Sequence, residues 1–141
     1  MSQLKKHTIS PLISQDEVSA IVNALAQDIY SKYMDQEITL IGVLDGAYAF
    51  TADLARALHK LGMKKITIDF VGVDTYGGGT TSSKKAKITK DLKHDIAGKT
   101  VLIVEDIVDT GYTLSVLNAL LLARKPASLE TVALLSKDSR R

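Results

Sequence analysis

The residues with the clearest chemical potential lie in one short segment, where apolar residues lead into closely spaced acids. Residues 101–104 are Val-Leu-Ile-Val and run directly into Glu105 and Asp106. A third carboxylate follows at Asp109. Three acids so close together repel one another, and such crowding is usually tolerated where a cation or a polyol ligand needs it. The alternative, a solvated turn with an aspartate at a helix N-cap, leaves the crowding unexplained.

The residues that follow suit a phosphate group. The stretch Thr110-Gly111-Tyr112-Thr113 opens a predicted helix, and it offers backbone N–H groups, hydroxyls and a glycine that permits close approach. Together these form an anion site suited to a phosphate monoester. Glu105 and Asp106 only accept hydrogen bonds when ionised, so they suit sugar hydroxyls, either directly or through Mg²⁺. A sugar phosphate fits both halves of the segment.

Alternating strands and helices must position these residues. Apolar, β-branched runs predict strands over residues 38–43, 66–73, 101–104 and 129–135. Capping signals and helical periodicity predict helices from Ser14 to about residue 34, over residues 47–61 and over residues 113–123. Strands that are apolar on both faces indicate a parallel sheet with helices on both sides. Ligands bind such sheets beyond the carboxyl ends of the strands, where the acids lie.

Length and composition exclude several classes of protein. The 141 residues suit a single domain, with 45% hydrophobic and 24% charged residues. The net charge of +2 neither requires nor excludes a nucleic-acid partner. The lack of cysteine excludes a disulfide framework, a thiol nucleophile and a cysteine-based zinc site. No apolar run is long enough to span a bilayer, and residues 1–6 lack a signal-peptide core, so we expect a cytoplasmic protein.

Some further features have a structural explanation and a functional alternative. Residues 74–93 are polar, with glycines first and lysines later, and predict a long flexible loop that could contain a short hairpin. Its Gly77-Gly78-Gly79 does not open a helix directly after a strand, which argues against dinucleotide binding. The lysines indicate a solvated face, with attraction of a polyanionic substrate or RNA as the alternative. The almost wholly apolar helix over residues 114–123 indicates core, with a subunit interface as the alternative.

The segment from Val101 to Thr113 resembles the ribose-phosphate signature of the type I phosphoribosyltransferases. Its Glu-Asp-Ile-x-Asp-Thr-Gly form is similar to the hypoxanthine-guanine branch of that family. The resemblance covers essentially the whole chain. Leu12-Ile13-Ser14 looks like the family's opening, and Leu44-Asp45-Gly46-Ala47 looks like its pyrophosphate loop. Asp74-Thr75-Tyr76-Gly77 looks like the start of its catalytic loop, and the segment from Leu134-Leu135-Ser136-Lys137 onward to Arg141 looks like its purine-side segment. It implies the type I phosphoribosyltransferase fold, a parallel sheet flanked by helices with a long flexible catalytic loop.

The resemblance also implies a reaction. In purine salvage, 5-phospho-α-D-ribose 1-diphosphate (PRPP) gives its phosphoribosyl group to hypoxanthine or guanine, yielding IMP or GMP and pyrophosphate. Mg²⁺ is the implied cofactor, bound through PRPP with Glu105 and Asp106 nearby. A homodimer or homotetramer is implied, with no membrane partner, and a nucleic-acid partner is not expected.

The family's site residues carry over to matching positions of this chain. By resemblance, Glu105 and Asp106 hold the ribose 2′- and 3′-hydroxyls, and Asp109 is the general base for the purine N7 proton. Lys137 would contact the purine 6-oxo group. The 5′-phosphate would lie among Asp109, Thr110, Gly111, Tyr112 and Thr113. In the loop, Thr75 and Tyr76 would close over the site and exclude water.

The implied pyrophosphate site consists of Leu44, Asp45 and Gly46. In the family the first of these peptide bonds is often cis, which turns a backbone N–H toward pyrophosphate. Asp45 departs from the family pattern, because a basic or neutral residue is frequent there. A carboxylate facing pyrophosphate is unfavourable, so we assign binding to the Asp45 backbone and not to its side chain.

The length of the chain bears on what can be expected of the purine site. Members of the family continue for several tens of residues past the segment that ends here at Arg141, and that stretch carries the aromatic residue that stacks on the purine. The last aromatic residue of this chain is Tyr112. We therefore expect a phosphoribosyltransferase domain over residues 1–141 that lacks the C-terminal lid and is either a shortened version of a longer protein or naturally curtailed. In the second case PRPP binding should survive while purine affinity falls.

Three alternatives remain. One is an inactive truncated homologue that only binds PRPP, and another is a regulatory RNA- or nucleotide-binding protein with the same fold. The third is a Mg²⁺-dependent phosphoryl-transfer domain, which would need acids from several strand ends, whereas all three acids here follow one strand.

Overall fold

The elements follow from apolar runs that must be buried on both sides, separated by amphipathic helices. The computed structural model describes residues 14–76, 85–108 and 111–136. In chain order the elements are α1 (Gln15–Tyr33), β1 (Ile38–Leu44), α2 (Tyr48–Leu61), β2 (Ile66–Tyr76), β3 (Lys85–Lys90), β4 (Thr100–Val108), α3 (Tyr112–Leu122) and β5 (Ser128–Ser136).

The strands form one sheet in the order β3-β2-β1-β4-β5. The central strand β1 pairs in parallel with β2 and β4, and β4 pairs in parallel with β5. Ile38 of β1 is thus flanked by Ile66 of β2 and Thr100 of β4. Only β3 runs antiparallel, beside β2. The predicted parallel sheet flanked by helices is confirmed.

Two apolar cores lie on the two faces of the sheet. Helices α1 and α2 cover one face, where Leu40 and Leu54 are fully buried. Helix α3 covers the other face, where Ile103 and Leu117 are fully buried. Gly42 of β1 allows α2 to approach closely, since a Cβ there would lie 2.4 Å from the Thr51 hydroxyl.

The ends of the first two helices follow from local sequence. The Ser14 hydroxyl accepts a hydrogen bond from the Glu17 backbone N–H at 3.1 Å, and the Glu17 carboxylate accepts one from the Ser14 N–H at 2.8 Å. This is the predicted capping box. Helix α2 ends at Gly62, which has a φ of 109° in the left-handed region that favours glycine.

The predicted loop over residues 74–93 begins too early, because strand β2 continues to Tyr76. The short hairpin that the loop could contain is present, since β3 (Lys85–Lys90) pairs antiparallel with β2. In β3 lysines alternate with Ala86 and Ile88, which are half-buried, while Lys87 is exposed. Lysines at such positions are typical of an edge strand, because they oppose pairing with another chain. Residues 77–84, with the three glycines, lie outside the described residues.

The strand that carries the acids is longer than predicted. Strand β4 extends beyond Val104 to Val108 because β5 continues to pair with it, with Glu105 opposite Ala133 and Ile107 opposite Leu135. Glu105 and Asp106 therefore lie within the last part of β4, and the position of each backbone is held by the sheet.

A buried carboxylate anchors the connection between β3 and β4. Asp69 of β2 is 3% exposed, and its oxygens accept hydrogen bonds from the backbone N–H groups of Phe70 (2.8 Å), Lys93 (2.9 Å) and His94 (2.9 Å). The His94 ring nitrogen lies 3.0 Å from the same carboxylate. Burial alone would raise the pKa of Asp69, but these hydrogen bonds outweigh burial and lower it.

None of the helices in the three described ranges is both long enough and apolar enough to cross a membrane.

Candidate active site

A polar cleft opens at the carboxyl ends of β1, β2 and β4, beside the start of α3. Its volume is about 240 Å³. The residues that line it are Val43, Leu44, Val73, Glu105, Ile107, Val108, Gly111, Thr113 and Leu114. Of the predicted site residues, the cleft therefore brings Leu44, Glu105, Gly111 and Thr113 together.

Glu105 and Asp106 form the acidic part of the site. The pKa of Glu105 is raised from 4.5 to about 7, first by burial and second by the neighbouring charge of Asp106. Asp106 Oδ1 accepts a hydrogen bond from the Ile107 backbone N–H at 2.8 Å. The two side chains thus differ in environment, since Glu105 lines the cleft and Asp106 turns back onto the backbone.

The Asp106 carboxylate also lies against the loop that follows β1. A Cβ on Gly46 would be 2.8 Å from both Asp106 oxygens and 3.0 Å from its Cγ, so a side chain here would force the carboxylate to shift. The Leu44–Asp45 peptide bond is cis, as the resemblance implies. The predicted pyrophosphate loop and the predicted ribose acids are therefore in contact, although they are far apart in the sequence.

The start of α3 faces the same cleft. Gly111 is the N-cap residue with a φ of 84°, and its carbonyl accepts the Ser115 N–H at 2.8 Å. Gly111 and Thr113 line the cleft, so the N–H groups of the first turn lie at its margin. The positive end of the helix dipole favours an anion at this position.

Some predicted site residues lie outside the described residues. These are Asp109, Thr110 and Lys137. Thr75 and Tyr76 end strand β2, and of these two residues only the backbone is described. Asp45 and Gly46 are exposed at the edge of the sheet, next to the cleft.

Ile107 was not predicted as a site residue from the sequence. This side chain is 46% exposed, which is unusual for an isoleucine in a strand, and it lines the cleft beside Val108. An apolar residue on the exposed side of β4 gives the cleft a surface for a flat, apolar ring. The alternation of side chains past Val104 is the signal that could have found it.

A larger cleft of about 510 Å³ lies elsewhere, between α1 and β5. In it Glu130 accepts hydrogen bonds from the Lys32 ammonium at 2.7 Å and from the Tyr33 hydroxyl. The acids of β4, the loop after β1 and the start of α3 are all absent from its lining, so the chemistry predicted from the sequence belongs to the smaller cleft.

Carboxylate acceptors, a helix N-terminus and an exposed backbone loop around one cleft have the chemistry that suits a phosphorylated sugar with a second anionic group. Comparisons with known proteins agree with this class. The model of the phosphoribosyl transferase domain family matches residues 14–141. The chain is 42% identical to the hypoxanthine phosphoribosyltransferase of Haemophilus influenzae, over 98% of this chain and 76% of that protein. It is 39% identical to the hypoxanthine-guanine phosphoribosyltransferase of Aquifex aeolicus, over 100% of this chain and 78% of that protein.

Solved structures show the same relationship. A hypoxanthine phosphoribosyltransferase from Staphylococcus aureus superimposes with a TM-score of 0.88 at 34% identity, covering 99% of this chain and 73% of that one. The Trypanosoma cruzi enzyme in complex with the product IMP gives a TM-score of 0.82 at 39% identity, covering 92% of this chain and 72% of that one. The chain belongs to the phosphoribosyltransferase family, in its hypoxanthine-guanine branch.

Proposed function

We propose that this chain transfers the 5-phosphoribosyl group of PRPP to hypoxanthine or guanine, which gives IMP or GMP and pyrophosphate. The observation that supports this most directly is the contact between Gly46 and Asp106. It sets the loop for the leaving pyrophosphate against a carboxylate for the ribose, and the α3 N-terminus is at the same cleft. One molecule of PRPP carries all three groups that these elements suit.

In this proposal PRPP binds to the acids of β4, the start of α3 and the loop after β1. Glu105 and Asp106 accept hydrogen bonds from the ribose hydroxyls, and the N–H groups of Gly111, Tyr112 and Thr113 bind the 5′-phosphate. The backbone of residues 44–46 binds pyrophosphate, and the exposed Asp45 carboxylate has no binding role in this proposal. Asp109 and Thr110 complete the phosphate site in this proposal.

The donor set fits Mg²⁺ shared with the substrate. Mg²⁺ is usually held by one or two carboxylates together with substrate phosphates and waters. The described residues contain no cluster of three metal-ligating side chains, whereas Glu105 and Asp106 supply two adjacent carboxylates. These two residues would hold the ion, which when bound neutralises charge on the departing pyrophosphate.

The chemistry exchanges one bond at C1′ of the ribose for another. The bond from C1′ to the pyrophosphate oxygen breaks, purine N9 bonds to C1′, and the proton on purine N7 passes to Asp109. Positive charge that develops at C1′ is stabilised by the carboxylates of β4, and negative charge on pyrophosphate by the backbone N–H groups of the 44–46 loop. Ile107 offers an apolar surface to the purine ring, and Lys137 contacts its 6-oxo group.

Closure by Thr75 and Tyr76, a cytoplasmic location and a homodimer or homotetramer complete the proposal. Strand β2 supports the closure in one respect, because it ends at Tyr76, at the carboxyl end of the sheet where the cleft lies. Closure would exclude water, which otherwise hydrolyses PRPP.

Replacement of the general base tests the mechanism. Asp109→Asn removes the proton acceptor but keeps the size of the side chain, so we expect turnover of PRPP and hypoxanthine to fall by about 100-fold or more. Affinity for PRPP, measured by calorimetry without purine, should change by less than about threefold. Asp91→Asn is the control, because Asp91 lies in an exposed ion pair with Arg124 away from the cleft. Unchanged turnover in Asp109→Asn would remove this residue from the base role.

A further inference from the structure

Strand β2 reaches the candidate active site through residues that pair with only one neighbouring strand. Its pairing with β1 ends at Gly72, which is opposite Leu44. In the described part of the chain, the residues from Val73 to Tyr76 pair only with β3. Val73 lines the cleft, and Thr75 and Tyr76 end the strand. The position of this end of β2 therefore depends on how β3 aligns with it.

The side chains of β3 do not fix this alignment by themselves. Lysines alternate with Ala86 and Ile88 in the first part of the strand. A shift of β3 by one residue would move these apolar side chains to the other face of the sheet, which is unfavourable. A shift by two residues would keep each side chain on its own face, because side chains alternate with a period of two. Another contact must therefore exclude the shift by two residues.

A group of contacts just after β3 can exclude it. The Asp69 carboxylate of β2 accepts hydrogen bonds from the backbone N–H groups of Lys93 and His94, each at 2.9 Å. The Lys90 ammonium donates a hydrogen bond to the Phe70 carbonyl at 3.2 Å. We call these contacts the Asp69 clamp. They hold the end of β3 and the residues after it at one place along β2.

The pairing of the two strands is irregular next to the Asp69 clamp. Gly72 is opposite Lys90, whereas Val73 is opposite Ile88, so Thr89 is an extra residue in β3. A Cβ on Gly72 would lie 2.6 Å from the Thr89 hydroxyl oxygen, so a side chain at position 72 would force Thr89 to shift. A shifted β3 would lose this match between the bulge and the glycine.

Burial makes the Asp69 carboxylate costly, so its presence needs a reason. The residue is 3% exposed and lies opposite the fully buried Ile41 of β1. A buried charged group often stabilises a fold less than an apolar residue would, and its best-attested role is to select one alignment among several. Asp69 suits this role, because a shift of β3 would move the N–H groups of Lys93 and His94 away from its oxygens.

We infer that Asp69 is a positioning residue, which sets the alignment of β3 with β2 and thereby places Thr75 and Tyr76 at the cleft. The link to the reaction rests on the proposed function, in which these two residues exclude water, whereas the alignment itself does not. Without correct placement, water would attack C1′ in place of purine N9. The bond from C1′ to the pyrophosphate oxygen would then break and a proton would leave the water, which gives ribose 5-phosphate and pyrophosphate without a nucleotide.

Paired cysteines test the alignment without relying on activity. The chain has no cysteine, so Asp74→Cys with Lys87→Cys gives a single pair that is directly opposite in the present alignment. Asp74→Cys with Thr89→Cys gives a pair that becomes opposite only after a shift by two residues. In a glutathione buffer, Asp69→Asn should lower the disulfide formation constant of the first pair by about tenfold or more and raise that of the second pair.

A milder variant keeps the test valid if Asp69→Asn does not fold. Lys90→Met removes one donor of the Asp69 clamp and leaves the hydrogen bonds of Asp69 in place. It should change both disulfide formation constants in the same directions by a smaller factor, about threefold. Circular dichroism checks that each variant is folded.

The ratio of pyrophosphate to nucleotide tests the link to the reaction. With PRPP and hypoxanthine, the wild-type chain should form the two products in equal amounts. Asp69→Asn should form about twice as much pyrophosphate as nucleotide or more, because water then competes with the purine. A simple loss of folded protein would lower both products together and leave their ratio unchanged.

Asp91→Asn is the matched control. It makes the same change in the same connection, but at a carboxylate that pairs with Arg124 at 2.8 Å outside the Asp69 clamp. It should leave the disulfide formation constants and the product ratio unchanged, and an equal effect of Asp91→Asn would contradict a specific role of Asp69.

The two measurements can fail separately. Unchanged disulfide formation in both clamp variants, or loss of the first pair without gain of the second, would overturn the inferred alignment. An unchanged product ratio in a variant with shifted strands would overturn the link to Thr75 and Tyr76. A wild-type chain that forms no nucleotide would contradict the proposed function, and the cysteine pairs would still decide whether Asp69 sets the alignment.

Discussion

Gly46→Ala is the substitution that most directly tests how the two halves of the site depend on each other. The new methyl group would start 2.8 Å from both Asp106 carboxylate oxygens. Ordinary van der Waals contact needs about 3.4 Å or more, so the carboxylate must retreat by roughly 0.6 Å. Gly46 is not among the glycines with a positive φ, so alanine fits the backbone and the effect comes from this contact.

Retreat of the Asp106 carboxylate disturbs the ribose. It also strains the 2.8 Å hydrogen bond from the Ile107 N–H. Displacement of a positioning group by up to 1 Å costs about 10- to 100-fold in rate. We therefore expect kcat/KM for PRPP to fall by about 10- to 100-fold. Stability should change by less than about 1 kcal/mol, because Gly46 is exposed.

A control substitution at another glycine and a double variant complete the experiment. Gly98 has a φ of 73° and open space around it, so Gly98→Ala should cost about 1 kcal/mol of stability and leave kcat/KM unchanged. If Gly46→Ala acts through Asp106, it should cost nothing more when added to Asp106→Ala. Full activity of Gly46→Ala, or an equal loss in the Asp106→Ala background, would refute the reasoning.

The remaining predictions concern the charged residues and the purine side. Between pH 4.5 and 7, folded Glu105 holds a proton that the unfolded chain has lost, so its contribution to the free energy of unfolding falls as pH rises. Glu105→Gln should therefore be more stable than wild type by on the order of 1–2 kcal/mol at pH 8, since solvent screens a half-buried carboxyl, and nearly equal at pH 4.5, in urea unfolding with EDTA; a difference independent of pH would contradict this. Asp69→Asn should lower the free energy of unfolding by about 2–4 kcal/mol, because the new amide presents a donor to the backbone N–H groups. Asp91→Asn, at an exposed ion pair, should lower it by less than about 1 kcal/mol. Equal losses in the two variants would show that the Asp69 hydrogen bonds do not matter. Lys137→Ala should raise KM for 6-oxopurines selectively, and an equal loss with every substrate would indicate misfolding instead.

Local signals predicted much of the fold. The capping box at Ser14, the left-handed Gly62 and the apolar strands each depend on a few neighbouring residues, so the sequence contains their causes directly. The doubly covered sheet follows from strands that are apolar on both faces. The cis Leu44–Asp45 bond came from the resemblance and from no local physical signal.

Longer-range features were not predictable in the same way. Strand β3 was predicted only as a hairpin that a long loop could contain, because its lysines suggest solvent, and pairing with β2 explains why Ala86 and Ile88 alternate with polar residues. The hydrogen bonds of Asp69 and the contact between Asp106 and Gly46 join residues that are distant in sequence. The residues next to Asp69 and Asp106 in the sequence do not indicate that either carboxylate contacts a distant loop.

Release of pyrophosphate from PRPP with hypoxanthine, guanine or xanthine tests the proposed reaction most directly. With Mg²⁺ present, we expect pyrophosphate and the matching nucleotide in equal amounts with hypoxanthine or guanine, and none without a purine. Binding of PRPP without any nucleotide product would contradict the proposed transfer and support a protein that only binds PRPP.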